Sequence, residues 1–186
     1  MSDVKQARLQ NRLGPEIKEF REVCQTLQLA TVDAEGKPNV SYAPFAMLED
    51  GYYVLISQIA KHARNLLENP QVSLMMIEDE STSKTIYARK RLTFEANVVV
   101  VERQSERWVE AIAGLRARFG EIVDGLSGLE DFTLFRLEPT QGLFVKGFGQ
   151  AFQVSGDDLV DFVHLQEGHK RIQDGSEVTS TSEEEL

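Results

Sequence analysis

From Leu27 onward, polar and apolar positions alternate with a period of two: Leu27, Leu29 and Thr31 share one side, and Gln28, Ala30 and Val32 the other. Asp33-Ala34-Glu35-Gly36 supplies a turn, a second strand is predicted over about 39–47, Asp50-Gly51 turns again, and 52–57 forms a third strand. Three successive strands with tight turns predict an antiparallel meander. The period then lengthens to that of a helix, with Ile59, Ala63, Leu66 and Leu67 on one face and Asn69-Pro70 as its stop. A fourth strand follows at 71–77. A long one at 85–101 carries Leu92, Phe94, Ala96, Val98 and Val100 on one face. Trp108, Ile112, Leu115, Phe119, Ile122 and Leu126 step by fours and threes, which predicts one core-packing helix over 105–126. Strands at 132–137 and 143–154 flank Pro139-Thr140-Gln141-Gly142. Ser155 then caps a last amphipathic helix, with Asp158 as its capping-box partner.

About six antiparallel strands with few helices indicate a mainly β fold with α, a small barrel rather than a parallel α/β sheet. The strand at 85–101 is long enough that it has to bend around such a barrel. Residues 1–13 are polar and are expected to form a flexible arm. Gly14-Pro15 opens a short helix with Ile17, Phe20 and Cys24 on one face. The expected organisation is an arm over 1–13, the barrel over 14–154, a C-terminal helix and following segment over 155–173, and a disordered tail over 174–186.

Charge narrows the function classes. Thirty acidic and 20 basic side chains give a net charge of −10, and half of it comes from Asp174, Glu177, Glu183, Glu184 and Glu185 in that tail. The chain lacks the basic stripe that nucleic acid requires. Cys24 is the single cysteine, so an internal disulfide and a multi-cysteine zinc site are excluded. No apolar run approaches the roughly 20 residues that span a bilayer, and the N-terminus lacks a signal-peptide core. The expectation is a cytoplasmic protein with neither a nucleic-acid nor a membrane partner.

The segment GFGQAFQVSGDDLVDFVHLQEGHK, 147–170, holds two of the three histidines, His164 and His169. A neutral imidazole there can ligate a metal or an iron porphyrin; the plainer alternative is a solvated tail histidine. Serine–histidine–aspartate order, an HExxH helix and a Walker loop are all lacking, and GFGQAF misses the third glycine of a dinucleotide fingerprint.

Three stretches carry a family resemblance. LATVDAEGKPNVSYAPF (29–45) and ISQIAKHARNLLENPQVSLMMIEDE (56–80) resemble the opening strands and short helix of the pyridoxamine 5′-phosphate oxidase-like FMN-binding split-barrel superfamily. QGLFVKGFGQAFQVSGDDLVDFVHLQEGHK resembles the C-terminal part of its haem-utilisation branch, the HutZ/HugZ type. The likeness runs from about residue 5 to 172. It implies a homodimer of six- to seven-stranded antiparallel split barrels with flanking helices and a ligand between subunits. It further implies haem as ligand and substrate, opened oxidatively to a biliverdin with release of iron, an external electron donor and a haem-delivery protein.

Carried onto this sequence, the resemblance makes His169 the axial ligand of the haem iron, on the segment 155–173. Asp131 matches a carboxylate that contacts the ligand histidine across the dimer, which fits the usual carboxylate partner of a ligating imidazole. Arg91 matches a basic residue near the haem, suited to a propionate or to oxygen on the iron. His164 is the second-choice ligand, near the end of the predicted helix. In an FMN-dependent oxidoreductase of the same superfamily, Lys61 and Arg64 would bind the flavin phosphate. A haem storage or transfer protein without turnover is the third reading.

Overall fold

The computed structural model describes residues 2–158 and 160–162. Among them the elements run α1 (Ser2–Val23), β1 (Thr26–Val32), β2 (Pro38–Pro44), β3 (Ala46–Leu48), β4 (Gly51–Ser57), α2 (Lys61–Glu68), β5 (Gln71–Ile77) and β6 (Arg91–Val100). The remainder is α3 (Glu106–Phe119), α4 (Ile122–Ser127), β7 (Phe132–Gly147), β8 (Gln150–Ser155) and β9 (Val160–Phe162). Every ladder is antiparallel. The strand order is β2-β1-β5-β6-β7-β4-β3, with β8 on β7 and β9 on β8. The two ends of that order are consecutive in sequence, joined only by the fully buried Phe45, so the sheet closes on itself as a split barrel.

The nine described strands exceed the expected six to seven, and the reason is local. The second predicted strand is two: Pro44 has no N–H to give a ladder, so β2 stays with β1 while β3 pairs β4 at the far end of the order. The simple meander is thereby replaced, and the second neighbour of β1 is β5. The long strand begins at Arg91 rather than at residue 85, because Ile86–Ala88 forms a 3₁₀ turn.

The strand that bends is β7. Its Pro139-to-Gly142 stretch, expected to separate two strands, is a bulge inside one, where the pairing jumps from Phe94↔Gly142 to Ala96↔Pro139. Gly142 is required there, since a Cβ would lie 2.1 Å from the Thr93 carbonyl oxygen. The actual hairpin turns later, at Phe148-Gly149.

Residues 2–13 are not a flexible arm. They are the first half of α1, and Leu9, Leu13 and Ile17 are buried at i, i+4, i+8 against the barrel, with Pro15 tolerated inside the helix. The helix predicted over 105–126 is broken by Gly120 at φ +81, and Val123, not the exposed Ile122, reaches the second core. That core lies between α3, α4 and the outer side of β4 and β7, so Tyr52 and Tyr53 are both buried, on opposite faces of β4.

The C-terminal helix is also corrected within the described residues. Ser155 ends β8 instead of capping a helix, and Val160–Phe162 pairs with β8 as β9. Asp158 has φ +58 and binds Arg21, not a helix N-terminus. The sheet therefore extends past the expected boundary at 154. His164, His169 and the acidic tail lie outside the described residues.

Candidate functional site

Asp131 stands where α4 gives way to β7, beside the end of β4, because Ser57 and Phe132 are register partners. Ser57 Oγ donates to Asp131 Oδ2 at 2.5 Å and accepts from the Ile59 N–H at 3.1 Å. The Gln58 N–H donates to the Asp131 carbonyl at 2.7 Å. One carboxylate oxygen and the backbone are thus held by the β4–α2 corner. The other oxygen, Oδ1, keeps acceptor capacity for a group outside the described residues. Ser57 is a residue that sequence reading missed; its one signal is its place at the end of the strand that β7 pairs with.

The same corner opens α2, which carries Lys61, His62 and Arg64. Lys61 Nζ meets Asp33 Oδ2 at 3.4 Å. Arg64 turns back to the Ile59 carbonyl and, at 3.4 Å, the Gln58 carbonyl. Both cations therefore serve the local backbone and loop. The half-buried His62 ring has its pKa lowered by burial, so it is neutral at neutral pH.

Arg91 begins β6 and is half-buried. Its neighbours are committed: Arg89 donates to the Glu78 carbonyl and to Glu80 Oε1 at 3.3 Å, and Lys90 pairs with Glu16 at 3.1 Å. Arg91 makes one long bond, Nη1 to the Arg89 carbonyl at 3.3 Å, and pairs with no acidic side chain among the described residues. A half-buried guanidinium fork with most of its donors unused fits a carboxylate ligand such as a porphyrin propionate. An open carboxylate oxygen on Asp131 fits an imidazole N–H.

Arg91 and Asp131 do not share one end of the chain's barrel. Arg91 pairs with Val145, whereas Asp131 precedes Phe132, so nearly all of β7 separates them. At about 3.3 Å per residue, that is on the order of 40 Å of strand path. A cleft of about 730 Å³ opens over Thr93, Glu95, Leu143 and Gln153, and neither Arg91 nor Asp131 lines it. A site using both residues is better built from two chains than from this cleft. Among the described residues, no group of three or more His, Cys, Asp or Glu is placed to hold a metal, and no helix is long and apolar enough to cross a membrane.

Comparison with known proteins accords with this architecture. The family model for pyridoxamine 5′-phosphate oxidase matches residues 13–146. Heme oxygenase HutZ of Vibrio cholerae serotype O1 (strain ATCC 39315 / El Tor Inaba N16961) is 70% identical over 172 residues, covering 92% of this chain and 98% of that protein. The crystal structure of Vibrio cholerae HutZ, described as a heme storage protein, superposes with a TM-score of 0.70 at 68% identity, covering 74% of this chain and 97% of the other. A chloroplastic non-canonical heme oxygenase, HOZ of Arabidopsis thaliana, is 30% identical over 152 residues, 78% of this chain and 44% of that protein.

Proposed function

The chain belongs to the pyridoxamine 5′-phosphate oxidase family, and we propose that within it this protein is a haem-degrading oxygenase. It binds haem and opens the ring oxidatively to a biliverdin, releasing iron. The observation that carries this reading is the likeness to a heme oxygenase along nearly the full length of both chains. Haem is substrate and redox centre at once; the protein contributes a ligand, orientation and electrostatics. Electrons come from an external donor, haem arrives from a delivery protein, and the reaction is cytoplasmic.

The assigned roles follow from chemistry. His169 gives a neutral ring nitrogen to the iron. Asp131, steadied by Ser57, accepts the other ring N–H through Oδ1, which sets the tautomer and strengthens donation. Arg91 holds a propionate. Because Arg91 and Asp131 sit at opposite ends of β7, the complete site is assembled from two subunits of a homodimer. Exposed Val40 and Tyr42 on β2, with Ile59 at the β4–α2 corner, supply apolar surface of the kind a second subunit covers. The engagement of Lys61 and Arg64 within the fold weighs against a flavin phosphate there.

Titration of the full-length protein with haem, and separately with FMN, tests the reading. One haem per subunit with a sharp Soret band is expected, then bile-pigment absorption and free iron when a reductant and oxygen are added. His169→Ala abolishes the native haem spectrum, and His164→Ala preserves most of it. A retained flavin without a Soret band overturns the proposal, and haem binding without ring opening reduces it to storage or transfer.

A further inference from the structure

The side chains of α1 do more than close the barrel. Gln10 engages the β8–β9 connection twice: Nε2 donates to the Asp158 carbonyl at 2.9 Å, and Oε1 accepts from the Val160 N–H at 2.7 Å. One side-chain amide thereby satisfies a backbone acceptor and a backbone donor two residues apart, as a neighbouring strand would. Gln6 Nε2 donates to the Val160 carbonyl. Four, eight and twelve residues after Leu9 come Leu13, Ile17 and Arg21, so Arg21 closes the buried stripe of α1 with a charge.

That charge is placed with care. Arg21 is 4% exposed, donates in parallel to Asp158 Oδ2 and Oδ1 at 2.9 and 2.6 Å, and lies 5.6 Å over the Tyr52 ring. Asp158 at φ +58 holds a backbone conformation that non-glycine residues seldom adopt. A buried ion pair adds little net stability over an apolar replacement, but it defines geometry tightly. What it defines here is the origin and heading of β9. His169 follows the last residue of β9, Phe162, by seven positions in the sequence.

We propose that Arg21 and Gln10 are positioning residues for the axial histidine, anchoring the root of the segment that carries His169. The proposal rests on the haem reading above. A short tether released at its root spreads its imidazole over a larger volume, which lowers the effective concentration at the iron. Neither residue touches haem; both act through Asp158 and Val160.

The experiment uses the full-length protein as wild type, Arg21→Met, Arg21→Lys, Gln10→Ala and His169→Ala. Thermal melts identify the folded variants, amide hydrogen exchange reads residues 158–162, and haem titration reads affinity and the Soret spectrum. Folded Arg21→Met and Gln10→Ala should show faster exchange at 158–162 and haem binding weakened by about tenfold or more, the loss typical of a removed outer partner. Their spectra should shift toward that of His169→Ala, and added imidazole should restore the wild-type spectrum. Arg21→Lys, which keeps one charged bond, should recover part of the effect. Wild-type spectrum and affinity in Gln10→Ala, or in a folded Arg21→Met, overturns the positioning role while a loss in His169→Ala keeps the haem reading. An unchanged His169→Ala spectrum overturns both.

Discussion

Glu16 ties three elements together with a single carboxylate. From α1 it meets Lys146 of β7 at 2.5 Å and Lys90, just before β6, at 3.1 Å. Burial alone would raise its pKa; the two ammonium groups outweigh burial and hold it below the usual 4.5. The unfolded chain therefore takes up this proton more readily, so the pair stabilises the fold fully above about pH 4.5 and loses that contribution as pH falls through the lowered value. Glu16→Gln should cost about 1 kcal/mol at neutral pH, the scale of a well-formed, partly exposed pair. Urea melts should show that deficit shrinking toward zero in acid; a deficit that persists there would assign it to packing instead. Such pairings were not legible in the sequence, since nothing local to Glu16 points to residues more than 70 positions away. Arg91 was legible as a polar residue of a strand, but its lack of an acidic partner emerged only once Arg89 and Lys90 were seen to be occupied.

At the scale of elements, α1 departs furthest from expectation. Gly14-Pro15 carries the chemistry of a helix start, and it outweighed the apolar repeat Leu9, Leu13, Ile17 that runs straight through it. A proline well inside a helix costs a hydrogen bond, and burial of that stripe repays it. Leu13 is fully buried, so Leu13→Ala should destabilise the protein by about 2–5 kcal/mol, read from the midpoint of a denaturant melt. An effect within a few tenths of a kcal/mol would return residues 2–13 to the status of an arm. The stretch Pro139-Thr140-Gln141-Gly142 was ambiguous for a related reason. Proline and glycine punctuate strands at turns and at bulges alike, and only the pairing of β6 on both sides of the bulge separates the two.

For the whole molecule, the proposed two-subunit site makes a prediction that no single-chain site shares. His169→Ala and Asp131→Asn variants, each inactive alone, should regain activity when unfolded together and refolded as mixed dimers. Each mixed dimer then carries one site with both substitutions and one with neither, which restores about a quarter of wild-type turnover in a statistical mixture. No recovery would place His169 and Asp131 of the same chain in one site. The antiparallel barrel class, most strands, α2 and the stop at Asn69-Pro70 were determined by the sequence alone, because hydrophobic period and turn chemistry act over a few residues. The splitting of the second strand between β1 and β4, the bulge in β7, the clamp of α1 on Asp158 and the separation of Arg91 from Asp131 along β7 were decided by tertiary structure. Each depends on which distant backbone and side-chain groups satisfy one another when the sheet closes, and no local pattern encodes that choice.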